Sequence, residues 1–191
     1  GLQGNRGWVV ILEDPDLAAY FREVFLIDAA GGDIVPLEGT AAELYTPWAP
    51  TYAVEFGPCR AEDARVTVVL SPDTSALILD LIEGAEESIA IEQAYITNET
   101  RYELNPYLAA AINASRRGVV VQILLDSAWF NTEDDADNDE MVAVINRIAA
   151  AEGLPLEARL ADIEANNLAK IHNKGVIVDG RAVLVSSINW N

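Results

Sequence analysis

The chain is poor in the residues from which several kinds of protein are built. It has a single cysteine, Cys59, in 191 residues. One thiol excludes an internal disulfide and fits no metal-ligand spacing. Lysine is nearly absent: of 12 basic residues only Lys170 and Lys174 are lysines, against 31 aspartates and glutamates, for a net charge of −19. Contacts along a stretch of nucleic acid need clustered Lys and Arg. The acidic balance therefore argues against a broad polyanion-binding face and leaves room for a local positive spot, at His172 and Lys174, that holds one phosphodiester. No run approaches eighteen apolar residues, so no membrane-spanning helix is read. No stretch reads as a signal peptide, and the compartment stays open. There is one histidine, His172.

What the chain has in quantity is apolar residues, 51%, enough for one domain with a sizeable core. The most organised stretch is Ile171–Asn191. Two β-branched runs flank Asp179-Gly180, and an Asp-Gly pair between such runs predicts a two-residue hairpin. With those two as the turn, Val178 faces Arg181, Val176 faces Val183, Lys174 faces Val185 and His172 faces Ser187. Opposed residues share a face. One face then carries His172, Lys174, Ser187 and Asn189, and the other carries Ile171, Ile177, Ala182, Leu184 and Ile188 as core. An imidazole, an ammonium, a hydroxyl and an amide on one face make a site for a bound anion. The lysine supplies fixed charge, and the histidine a nucleophile or proton shuttle near neutral pH.

The order of those residues, His172, Lys174, Asp179, Ser186, Ser187, Asn189, resembles the His-x-Lys, Asp, Gly-Ser-x-Asn signature of the phospholipase D superfamily, with Ser186 where the family has Gly. The resemblance implies a mixed, largely parallel α/β sheet flanked by helices, with the signature hairpin at its C-terminal end. It also implies a metal-independent phosphodiesterase or phosphatidyltransferase that works without a cofactor. Two copies of the motif meet: one histidine attacks phosphorus to give a phosphohistidine, and the other protonates the leaving alcohol. Carried onto this chain, His172 is nucleophile or general acid, Lys174 and Asn189 hold phosphate, and Ser187 and Ser186 support them. Asp179, about 17 Å from Lys174 at ~3.3 Å per residue, holds the turn.

The chain has one such motif, so the second is expected from another lobe or from a homodimer partner. The substrate is a phosphodiester, phospholipid or nucleic acid. The alternatives are a non-catalytic phosphodiester-binding or scaffold half-domain, or a metal-independent nuclease of the same superfamily. The resemblance also divides the chain: residues 1–30 as the tail of a preceding lobe, 31–65 as a connector, and 66–191 as the lobe that carries the motif. The tail is expected to pack where the strand and helix after the hairpin would lie.

The rest of the chain alternates strand and helix signals. Trp8–Leu12 is a buried-strand candidate, and Asp14-Pro15 starts a helix with Leu17, Tyr20, Phe21, Val24 and Phe25 on one face. Residues 33–65 are broken by Pro36, Pro47, Pro50 and Pro58, with Tyr45, Trp48, Tyr52 and Phe56 as surface anchors. A strand is predicted over Val66–Leu70, then a helix capped by Ser71 with Pro72 at its first position. A strand over Ser88–Ile96 carries Glu92 and Gln93 to opposite faces. The resemblance places that segment along the pocket. A helix from Asn105-Pro106 to Gly118, a buried strand Val119–Leu125, a helix Met141–Ala151 and a short strand Leu156–Leu160 complete a parallel arrangement with right-handed crossovers. Trp129, just past the third of these strands, is a candidate pocket wall. The acids at 133–140 invite a calcium loop, but Glu140 and Asn146 stand where the EF-hand needs Gly and Glu. They read as a solvated loop feeding a helix N-terminus.

Overall fold

The computed structural model of the chain describes residues 5–6, 10–16, 18, 62–98, 103–133 and 137–191. The chain divides into two compact units, Val9–Ala49 and the combination of Gly1–Trp8 with Pro50–Asn191. In the smaller unit Val10, Ile11 and Leu12 are exposed and lie outside any strand. The buried strand predicted there is not formed by these residues, since an apolar run becomes a strand only where a ladder takes up its backbone groups. Asp14 does open a helical turn: its Oδ1 accepts from the Asp16 N–H at 3.0 Å and its carbonyl from the Ala18 N–H at 3.0 Å. The remainder of the predicted helix, and the aromatic connector before residue 62, lie outside the described residues.

The larger unit contains β1 (Asn5–Arg6), α1 (Ala76–Glu83), β2 (Ser88–Gln93), α2 (Pro106–Arg116), β3 (Val120–Leu125), α3 (Asn138–Glu152), β4 (Leu156–Leu160), β5 (Lys170–Ile171), β6 (Lys174–Val178) and β7 (Ala182–Val185). A five-stranded sheet runs in the order β4-β3-β2-β6-β7, and β1 pairs with β5 as a parallel two-residue ladder. The β2, β3 and β4 strands are parallel neighbours joined by helical crossovers, as their spacing predicts, and β6 and β7 add to β2 in antiparallel fashion.

The alternation of burial along β2 is strict, with Ile89, Ile91 and Gln93 buried and Ser88, Ala90 and Glu92 half-buried. Ile89 is paired with Val121 and Val178, and Ile91 with Ile123 and Val176. These rows face Ile78 and Ile82 of α1, Leu108 and Ile112 of α2, and Met141, Ile145 and Ala149 of α3 in one core. Each such large side chain, fully buried, contributes roughly 1.5–3 kcal/mol. Capping follows the sequence at α2, where Asn105 Oδ1 accepts from the Tyr107 and Leu108 N–H groups at 3.0 and 3.3 Å. At the end of α3, Gly153 takes the left-handed conformation (φ 65°) that an L side chain adopts at a cost.

Two expectations fail just before β2. Residues 66–70 pair with no strand among the described residues, and α1 begins at Ala76, not beside Pro72. The reason is Thr74, whose hydroxyl accepts from the Leu70 N–H at 2.8 Å and donates to the Leu70 carbonyl at 3.2 Å. That exchange holds residues 71–75 in turns across a cis Ser71–Pro72 bond. Local side-chain bonds of this kind compete with helix.

The signature hairpin differs from its predicted register. Asp179 (φ 54°) and Gly180 (φ 59°) do form the tight turn, with the Arg181 N–H on the Val178 carbonyl at 3.0 Å. Beyond the turn, however, Val178 pairs with Ala182, Val176 with Leu184 and Gly175 with Val185. Arg181 is an extra residue, so the second strand is offset by one from the two-residue hairpin. The core face is also the reverse of the one predicted for β6: Lys174, Val176 and Val178 are buried and Ile177 is 37% exposed. The strand is internal, and the face that meets Ile89 and Ile91 is buried whatever the polarity of its first residue.

Candidate active site

The parallel strands β2 and β3 end at one edge of the sheet, and the polar residues collect there. Lys174 opens β6 opposite Gln93, the last residue of β2. It lies on the core face at 5% exposure, so its ammonium has only the end of the sheet to reach. Its Nζ is 3.1 Å from His172 Nε2 and 3.4 Å from the His172 carbonyl. A charged ammonium can only donate, so Nε2 accepts and a neutral ring carries its proton on Nδ1. His172 is exposed as a residue, and its ring is partly desolvated. Lys174 makes no ion pair among the described residues. A nearly buried cation without a counter-charge is costly, and an anion is what relieves it.

Burial, then the charges of Lys174 and Lys170, push the His172 pKa below its ordinary value, with Asp126 pulling the other way. Burial and Lys170 likewise lower Lys174. Both lysines of the chain therefore act on one histidine within an acidic protein. Because His172 is the only histidine, one NMR titration of its ring protons reads the site. The midpoint is expected below 6.5. Lys174→Met should raise it toward the free value by removing a charge, and Asp126→Asn should lower it further. A wild-type midpoint at or above 6.5 would contradict this electrostatic account.

Asp126, directly after β3 and fully buried, organises the floor. Its Oδ1 accepts from the Ile171 N–H at 2.6 Å, and its Oδ2 from Asn131 Nδ2 at 2.8 Å and the Ala128 N–H at 3.3 Å. The bond to Ile171 fixes the backbone one residue before His172. Asn138, at the start of α3, donates through Nδ2 to the carbonyls of Ala94 and Asp126 at 2.9 and 2.8 Å. Asn173, between the histidine and the lysine, points to the other side of the strand and donates to Glu92 Oε1 at 2.5 Å. Sequence reasoning passed over Asp126, Asn138 and Asn173. The available signal was the acid standing immediately after a buried parallel strand, at the strand end where open α/β sheets place their ligands.

The other predicted residues divide. Gln93 is buried beside Lys174, whereas Glu92 lies on the opposite face, under Asn173, and lines a shallow depression of about 320 Å³ with Ala90, Gln122, Leu124, Arg159 and Ile177. Asn189 precedes Trp190, which is 1% exposed, packs at a tilt against Tyr107 with ring centroids 5.2 Å apart, and bridges Ile96. That anchor holds Asn189 at the same end of β2 as Lys174. Ser187 is exposed, and the Ser186 hydroxyl is engaged by the Ile188 N–H at 2.8 Å. After Val185 the chain leaves the ladder, so the shared face predicted for Ser187 and Asn189 does not arise from strand pairing. Trp129 is 65% exposed on a 3₁₀ turn, edge-on to Phe130 at 5.7 Å. Phe130 in turn lies under the Lys170 ammonium at 5.5 Å.

Asp179 is at the far end of the hairpin. Its carboxylate accepts from the Glu86, Glu87 and Ser88 N–H groups at 3.1, 2.8 and 2.8 Å, and its own N–H donates to the Ser88 carbonyl at 2.8 Å. Those backbone donors hold its pKa below the ordinary carboxylate value. Among the described residues no group of three or more His, Cys, Asp or Glu is placed to hold a metal ion, and no helix is long and apolar enough to cross a membrane.

Residues 78–191 match the family model described as cardiolipin synthase, PLD-like domain. No curated protein sequence matches the chain. Among solved structures, NucT from Helicobacter pylori is 19% identical with a TM-score of 0.44, over 60% of this chain and 65% of that one. Nuc from Salmonella typhimurium, a phospholipase D family member, is 25% identical with a TM-score of 0.44, over 63% of this chain and 68% of that one. The archaeal chromatin protein TrmBL2, with a novel mode of DNA binding, is 20% identical with a TM-score of 0.43, over 90% of this chain and 51% of that one. The chain thus spans less than two thirds of NucT and about half of TrmBL2.

Proposed function

Because this chain belongs to the phospholipase D-like domain family, whose model covers residues 78–191, we propose that it is a phosphodiesterase lobe that works through a phosphohistidine on His172. Its mixed sheet, with helices packed on the core face, has the phospholipase D/nuclease fold. The observation that carries the reading is the contact between the His172 imidazole and a nearly buried ammonium that has no ion-pair partner among the described residues. Arrival of a phosphoryl oxygen gives the Lys174 ammonium an anionic acceptor and frees the Nε2 lone pair it had been engaging. Nε2 then attacks phosphorus, and the bond to the leaving alcohol breaks as that alcohol takes a proton from the imidazole of a second motif. Water or an acceptor alcohol gives its proton to the same second imidazole. Its oxygen bonds phosphorus, and the Nε2–P electron pair returns to His172.

Lys174 and Asn189 stabilise the charge on the phosphoryl oxygens, with Ser187 in support and Asp179 holding the hairpin. The second motif comes from a two-fold partner or from another lobe. In a dimer the interface is isologous, with His172 near the axis. The substrate is a phosphodiester of a lipid or a nucleic acid. With −19 net charge, the site recognises one phosphate locally and does not track a polyanion.

Single-turnover hydrolysis of bis(p-nitrophenyl) phosphate in EDTA, over a series of protein concentrations, tests the proposal. The expected result is a rate per chain that rises and saturates as pairs form, with an acid-labile phosphoprotein trapped by rapid quench. A rate that EDTA abolishes, or turnover with no trapped phosphoprotein under burst conditions, would sink it.

A further inference from the structure

One side chain at the strand ends has no task in the chemistry described so far. Gln93 is 1% exposed, and neither its Oε1 nor its Nε2 has a hydrogen-bond partner among the described residues. Asn138 and Asn173 also bury an unpaired Oδ1, but each engages its Nδ2: Asn138 with two carbonyls, Asn173 with Glu92. Among the described residues Gln93 engages nothing at either end of its amide. Unpaired buried polar atoms are disfavoured, and a methionine or leucine would fill the same space without that penalty.

The placement of Gln93 is specific. In the ladder between β2 and β6 it stands opposite Lys174. The rung beyond it carries a backbone bond from the Ala94 N–H to the Asn173 carbonyl at 2.9 Å, and the first residue of β2 accepts from the Asp179 N–H at 2.8 Å. Even-numbered residues of β2 therefore sit at hydrogen-bonded rungs. Gln93 and Lys174 form a non-hydrogen-bonded pair, the kind whose Cα atoms come within ~4.5 Å and whose side chains lie closest. A cation and a neutral amide, an NH₂ donor beside a carbonyl acceptor, thus share a face at the end of the sheet where His172 stands.

We propose that Gln93 is a ligand-binding residue of this site. Its Nε2 donates to a non-bridging phosphoryl oxygen, and its Oε1 accepts one O–H of the water that attacks phosphorus. The assignment rests on the phosphodiesterase reading and deepens it, because it gives the nucleophile of the second half-reaction a fixed place. The amide takes no proton in that step. The water oxygen bonds phosphorus, its other proton goes to the imidazole of the second motif, the Nε2–P pair returns to His172, and the O–H held by Gln93 stays on the product phosphate. Gln93 aligns the attacking oxygen throughout.

Gln93→Met and Gln93→Leu test this with inorganic phosphate as the probe, since near neutral pH it presents P–O⁻ and P–OH together. Calorimetric titration of phosphate is expected to give about 10–100-fold weaker binding in both variants, while their thermal midpoints without phosphate equal or exceed that of the wild type. Unchanged phosphate affinity would overturn the Gln93 assignment and leave the phosphodiesterase reading standing. Midpoints that fall along with affinity would mark a packing role and overturn it as well. A wild-type protein that binds no phosphate would sink the phosphodiesterase reading, and Gln93 with it.

Discussion

His172→Ala is expected to reduce phosphodiester hydrolysis by about 10³-fold or more and to leave the thermal midpoint nearly unchanged. In the proposed mechanism the rate effect is large because the imidazole forms and breaks the bond to phosphorus, and in a two-motif site one substitution removes both the nucleophile and the second motif's acid when the partner is an identical chain. The stability effect is small because the residue is exposed and its side-chain contact is with Lys174. Initial rates on bis(p-nitrophenyl) phosphate beside a melting curve check both halves. Activity within tenfold of wild type would rule out His172 as nucleophile. The lowered pKa adds a sign: neutral imidazole persists below pH 6.5, so the acid limb of kcat/KM should fall below that value.

The largest expected loss of stability comes from Asp126→Ala. The carboxylate is fully buried and satisfies three donors, the Ile171 and Ala128 N–H groups and Asn131 Nδ2. Removing it strands all three in the interior, and the cost is about 3–5 kcal/mol. Against a typical total of about 5–15 kcal/mol that is a large share. Urea denaturation measures it, and Asp126→Asn is expected to cost less because one oxygen can still accept from Ile171. A loss under about 1 kcal/mol would mean that the site floor is held by something other than this carboxylate.

Much of the larger unit was legible beforehand because its local signals agree. Asn105 before Pro106, Gly153 after a helical run and the β-branched runs of β3 and β6 mean in the structure what they mean in isolation, whereas the run at 66–70 does not. The site was legible as a motif, and His172 and Lys174 do meet. What could not be read was decided by partners distant in the chain. Asp-Gly predicts the turn, but whether Arg181 pairs or stands aside depends on the sheet that receives β7. Which face of β6 is buried depends on β2, because Lys174 shares a side with two valines that meet Ile89 and Ile91. Likewise, the period of β2 sends Glu92 and Gln93 to opposite faces. Only the antiparallel pairing with β6 decides which of them joins the lysine.

The position of β6 has a consequence for how the molecule is made. Its residues follow those of β4 in the sequence, yet it lies inside the sheet, between β2 and β7. During synthesis β2, β3 and β4 can assemble with their crossover helices as soon as residue 160 has emerged. At that stage the long edge of β2 has no neighbour, and Ile89 and Ile91 have lost their cover on one flank. An unpaired apolar edge of this kind invites pairing with another chain. The hairpin that closes it is the same segment that brings His172 and Lys174. Completion of the sheet and the meeting of His172 with Lys174 are therefore one event, and a nascent chain that has not yet buried its adhesive edge does not yet hold that pair.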